Sequence, residues 1–130
     1  MRKLIVALVV LGLVAAASVW EIVWLERTFD TAIEMLEKVD DAVSADVENV
    51  NNAPAMRSMN ELIDWWEDRR TLVMGLLNHA QVKNIDDRFV MIARQLEVNA
   101  GMDAAITVRT TMRLMGDLYY DAIPGFANLF

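Results

Sequence analysis

The sequence predicts an all-α chain, with an N-terminal transmembrane helix followed by an antiparallel helical bundle of about four helices. An uncharged apolar run opens the chain, and several later segments repeat apolar residues at helical spacing. No stretch shows the alternation and β-branched enrichment of a strand. The 130 residues are 55% hydrophobic, above the roughly 45–50% of an average soluble domain, so part of the apolar content has to serve something other than a soluble core. The length, with no internal repeat or low-complexity linker, argues for one domain behind the apolar run.

From Leu4 to Trp20 the chain reads LIVALVVLGLVAAASVW, with Ser18 its one polar side chain. Continued to Leu25, a helix over residues 4–25 would measure about 33 Å, enough for a hydrocarbon core of roughly 30 Å. Glu21 would then sit near the outer interface, and Trp20 and Trp24, four residues apart on one face, suit the aromatic belt. Arg2 and Lys3 precede the run, and the positive-inside rule keeps that short end in the cytoplasm and residues 26–130 outside. These features describe a single-pass protein of the cell membrane that contacts the lipid bilayer through residues 4–25. The same run also fits a cleaved signal peptide, with Leu4–Val14 as its apolar region and Ala15-Ala16-Ala17 as a cleavage site. The anchor reading is favoured because no Gly or Pro interrupts the passage from the apolar run to the polar region.

Behind the anchor, Phe29, Ile33, Leu36, Val43, Val47 and Val50 form an apolar stripe opposite Asp30, Glu34, Glu37, Asp41 and Glu48. This first helix continues the anchor and is expected to stop at Asn51-Asn52-Ala53-Pro54, because Pro54 disfavours the α conformation at Ala53. Pro54 suits a first helical turn, and Met59, Leu62, Ile63, Trp66, Val73, Leu76 and Leu77 predict a second helix over 55–78. Asn84 can cap a third helix over 85–98, with Asp86 and Asp87 favoured by the dipole of its first turn and Phe89, Ile92 and Leu96 buried. Asn99-Ala100-Gly101 ends it. Ala105, Val108, Met112, Met115 and Tyr119 trace a fourth helix that Pro124 is expected to close. Short connections make neighbouring helices antiparallel.

Charge narrows the function classes. The chain carries 12 Lys+Arg and 19 Asp+Glu, a net of −7. Residues 26–130 retain ten of the basic and eighteen of the acidic side chains, Arg2, Lys3 and Glu21 lying before them, for a net of −8. Nucleic acid is not an expected partner, since phosphate backbones bind through excess Lys and Arg. The absence of cysteine excludes disulfides, thiolate metal ligands and a Cys nucleophile. His79 is the single histidine, expected near the end of the second helix as a cap on free carbonyls, with a polar contact to a partner as the functional alternative. The carboxylates Glu61, Asp64 and Asp68 share one helix face, as do Glu34, Glu37 and Asp41; they read as solvated faces, because no loop gathers oxygen ligands from one short segment. Ser44 and Ser58 have no evident His and Asp partners. No catalytic residue, cofactor or metal site is expected.

Trp65 and Trp66 cannot both face the core, since successive helical positions differ by about 100°. Trp66 fits the core stripe, which leaves Trp65 at its edge, packed on a neighbour or exposed to a partner. The C-terminal segment from Ile123 carries Phe126 and Phe130 with no charge. Candidate partner contacts are therefore Trp65, His79, Phe126 and Phe130.

The Met-Arg-Lys start and apolar run, the Trp65 or Trp66 position, the stretch from His79 to Ile85-Asp86 followed by an Arg-containing helix, and the Asn128-Leu129-Phe130 ending together resemble an uncharacterised family of single-anchor bacterial envelope proteins, the domain of unknown function 4363. The likeness spans nearly the whole chain, which departs from the pattern in a longer Asn51–Met59 connection and in its acidity. The resemblance implies a membrane-tethered helical domain outside the cytoplasm and brings no catalytic residues. The expected function is a non-catalytic interaction or scaffold module of the envelope, bound to a partner protein or to a second copy of itself. The alternative is a ligand-sensing bundle with a pocket near Trp65, Trp66, Tyr119 and Tyr120.

Overall fold

The computed structural model describes residues 1–127, with side chains described through Tyr119. Among the described residues it holds four helices: α1 (Arg2–Ala45), α2 (Ala53–Leu76), α3 (His79–Glu97) and α4 (Gly101–Ala127). In α1 the apolar run and the first amphipathic segment form one helix of 44 residues. This helix is long and apolar enough at its N-terminal end to cross a membrane, and none of that apolar window is buried. Packing begins further along. Trp20 is 59% exposed, whereas Leu25 is 6% exposed and joins Phe29, Leu36, Val39 and Val43 in the core.

The helices form a ring in which α1 packs on α2 and α4, and α3 packs on the same two neighbours. Met59, Leu62, Trp66 and Val73 of α2, Ile85, Phe89, Ile92 and Leu96 of α3, and Val108 and Met115 of α4 complete one core. Each large apolar side chain buried in this way stabilises the fold by about 1.5–3 kcal/mol. The Trp66 ring meets Phe89 edge-on at 5.6 Å, joining α2 to α3. Ala104, Thr107, Thr111 and Leu118 are buried as well, while Ala105, Met112 and Tyr119 are half-buried, so α4 is turned slightly from the face its apolar residues predict. The threonines fit because Thr107 and Thr111 each donate a hydroxyl to the carbonyl four residues earlier.

Several boundaries differ from expectation. Helix α1 ends at Ala45 rather than at Asn51; Asp46 turns extended, and the Asn49 amide donates to its carbonyl at 3.1 Å. Val50 is still buried, but from the connection rather than from a helix. Helix α3 starts at His79, five residues before the expected cap Asn84. Asn78 is the cap instead: its side chain accepts from the Gln81 amide at 2.8 Å, and the Gln81 side chain accepts from the Asn78 amide at 3.4 Å, a capping box. Helix α4 passes through Pro124 to Ala127, since an internal proline removes one donor and bends a helix without having to end it.

Asn99 terminates α3 in the left-handed conformation (φ 58°), a role Asn tolerates better than most side chains. Its Oδ1 accepts from the Val50 and Asn51 amides at 2.8 and 3.3 Å, and its Nδ2 donates to the Glu48 carbonyl at 2.9 Å. One side chain therefore ties the α1–α2 connection to the α3–α4 connection. Gly101 lies beneath the same connection, where a Cβ would overlap the Val47 carbonyl oxygen. Its glycine serves close approach rather than the helix C-cap.

Candidate functional site

Several places on the bundle combine shape with chemistry, and three bear most on function. The first is a groove of about 380 Å³ between α2 and α3, lined by Ile63, Trp66, Arg70, Asp86, Phe89 and Val90 among others. Trp66 and Arg70 lie one turn apart on α2 and both reach Asp86 on α3. Trp66 Nε1 donates to Asp86 Oδ1 at 2.6 Å, and Arg70 Nε donates to Asp86 Oδ2 at 2.7 Å. Both carboxylate oxygens are thus engaged within the protein. The arrangement ties two helices together and gives the buried indole the acceptor it needs; it occupies Asp86, while the exposed Glu67 and Thr71 complete the polar lining of the groove. Asp86 stands in the middle of α3, well past its first turn, so the dipole role that the sequence suggests for it does not apply.

A second groove, about 260 Å³, lies between α1 and α2 and is lined by Trp24, Arg27, Thr28, Thr31, Trp65 and Arg69. Trp65 is half-buried at the edge of the core, as its helix phase predicts. The Arg69 guanidinium sits 4.5 Å from the centroid of its ring and donates to the Trp65 carbonyl at 3.1 Å. Next to this groove, towards the apolar segment, Leu72, Gly75 and Leu76 approach Trp20, Glu21 and Trp24, and the rings of Trp20 and Trp24 stack at 6.3 Å.

The third place is the far end of the bundle, where Val98, Met102 and Ile106 are 63%, 69% and 58% exposed. Val98 closes α3, and Met102 and Ile106 follow at four-residue steps, the latter two on one face of α4. Met102 and Ile106, one turn apart on α4, give an exposed apolar strip near Val98 in the sequence.

His79 is the first residue of α3, not a C-terminal cap of α2, and its side chain is exposed. The expected interaction with free carbonyls at a helix C-terminus is therefore lost. Phe126 and Phe130 lie outside the described side chains, as does Tyr120. Trp65 and Trp66 open onto different grooves, so they do not line one pocket. Glu61, Asp64, Asp68, Glu34, Glu37 and Asp41 are all exposed, and among the described residues no three His, Asp or Glu side chains gather where they could hold one metal ion. The fold and these surfaces define a four-helix bundle continuous with an apolar N-terminal helix. No family model, curated protein or solved structure matches the chain.

Proposed function

We propose that the protein is a membrane-anchored, extracytoplasmic helical scaffold of the bacterial cell envelope, non-catalytic, with the layout that the domain of unknown function 4363 family suggests. The observation that carries the reading is the continuity of α1. An uncharged, fully exposed segment passes without a break into a helix whose next turns are core. A bundle built on such a helix is held at a fixed height and orientation over a bilayer, which suits a platform for another protein. Arg2 and Lys3 at the short end favour a cytoplasmic N-terminus. The exposed Val98, Met102 and Ile106 supply the surface for the partner, at the end farthest from the apolar segment.

A sensing bundle is less well supported. Its pocket would need polar groups turned inward and available, whereas the Asp86 oxygens are already taken by Trp66 and Arg70 and the other polar lining, Glu67 and Thr71, is exposed to solvent.

The test uses the full chain in intact bacterial cells. Alkaline extraction should leave it in the membrane fraction, and protease added outside should degrade residues 26–130. A photo-crosslinking residue at position 102 should give a discrete adduct, and one at the exposed position 64 should not. Release of the protein by alkali, protection from external protease, or equal adducts at both positions would each overturn the corresponding part of the reading.

A further inference from the structure

The groove between α1 and α2 contains two arginines that no carboxylate among the described residues pairs with. The ion pairs among the described residues are Arg70 with Asp86 and Arg109 with Asp40; Arg27 and Arg69 belong to neither. No carboxylate lines their groove, in a bundle with a net charge of −8. Two cations left together in so acidic a domain amount to a local reversal of sign, lined further by the hydroxyl-bearing Thr28 and Thr31 and walled by Trp24 and Trp65.

Its height along α1 points to the occupant. Arg27 lies seven residues beyond Trp20, roughly 10 Å along a helix, and three residues beyond Trp24, roughly 4–5 Å. The interfacial layer on each side of a bilayer is roughly 5–8 Å thick, and an Arg side chain can extend its head toward such a layer while its stem stays on apolar surface. With Trp20 and Trp24 in the aromatic belt, the Arg27 and Arg69 guanidinium groups stand at the level of the lipid phosphates. We propose that this groove binds the phosphate of a phospholipid headgroup, with preference for lipids of net negative charge. Guanidinium groups suit phosphate oxygens through paired, charge-assisted hydrogen bonds, and the contact offsets the repulsion between an acidic domain and an anionic surface. The proposal rests on the membrane-anchored reading above.

The experiment uses the purified full chain in neutral detergent micelles, with short-chain phosphatidylglycerol titrated in and tryptophan emission followed. Binding should saturate, and Arg27→Gln should weaken it on the order of tenfold, the loss of one charge-assisted contact. Arg27→Gln is the primary variant because Arg27 is exposed and bonds to no other side chain among the described residues. Arg27→Gln with Arg69→Gln should abolish saturation, and Arg57→Gln, on the exposed far part of α2, should change nothing. Phosphatidylcholine should bind more weakly, and inorganic phosphate at equal concentration should not compete. Equal binding by the Arg27→Gln variant, or unchanged saturation in the double variant with an unchanged melting temperature, would overturn the site. Equal binding of the two lipids would remove the charge preference, and full competition by inorganic phosphate would make it a free-anion site instead. Flotation of the same protein with vesicles reports anchoring separately: a chain that floats without lipid selectivity loses only the headgroup site, and one that does not float loses the anchored reading too.

Discussion

At the end of the bundle far from the apolar segment, Asn99 makes three side-chain hydrogen bonds across two connections, and Gly101 lets a carbonyl pass close above it. At the near end, stacked tryptophans, leucines and two arginines outside any ion pair among the described residues take over. Loops in water need their amides satisfied by specific acceptors, so one misplaced atom there is felt. An end built of aromatic and long cationic side chains is held by area and by the continuity of α1, and it tolerates single changes better. The two ends should therefore fail differently when altered.

The largest expected effect lies between them. Trp66→Ala removes a buried indole, its contact with Phe89 and the donor to Asp86, and should cost roughly 3–5 kcal/mol in denaturant unfolding of the full chain in detergent. Trp65→Ala, which empties a half-buried edge, should cost well under half as much. Equal losses would show that α2 is rotated from the phase described. At the far end, Gly101→Ala places a methyl against the Val47 carbonyl and should cost roughly 1–3 kcal/mol, although alanine is the better helix former. Stabilisation by Gly101→Ala would mean the two backbones are not in contact.

Asn99→Gly offers a finer probe, since it keeps the left-handed conformation accessible and deletes only the side-chain bonds. A loss of about 1–2 kcal/mol is expected, with faster amide exchange at Val50 and Asn51; unchanged exchange there would deny that Asn99 joins the two connections. His79→Ala should be nearly silent, within about 0.5 kcal/mol, as for an exposed residue with no partner among the described residues. A larger change in melting temperature would reveal an interaction that the exposed position of His79 does not suggest.

Much of the fold was legible because apolar spacing reports helix phase directly: Phe29, Leu36, Leu62, Trp66, Phe89, Ile92 and Leu96 all face the core as their periodicity indicates. Boundaries were harder, for a local reason. Asn78 and Gln81 carry the spacing of a capping box, a signal that goes unread beside Asn84, whose nearby Asp86 and Asp87 have the charge pattern of a helix start. A start at Asn84 also leaves His79 on the wrong helix. The Asp86 tie was hidden because its partners are sixteen and twenty residues away, and an aspartate near a presumed helix start has a sufficient local explanation. Even so, Trp66 and Arg70, one turn apart, present a donor pair on one face of α2. The Arg27 and Arg69 groove could not be read from spacing at all. It depends on how α1 and α2 lie side by side, and on the absence of a carboxylate where the acidic composition would lead one to expect it.

The account depends most on the near end lying at a bilayer surface and the far end in water. Variants of the full chain that keep the buried Trp66 as a common background and retain Trp20, Trp24 or Trp65 in turn, the others replaced by phenylalanine, placed in vesicles with brominated acyl chains, measure this directly against the variant with Trp66 alone. Emission should be quenched strongly for Trp20, less for Trp24 and little for Trp65, and a tryptophan introduced at position 102 should not be quenched at all. Equal quenching at all four positions, or none at Trp20, would contradict the account.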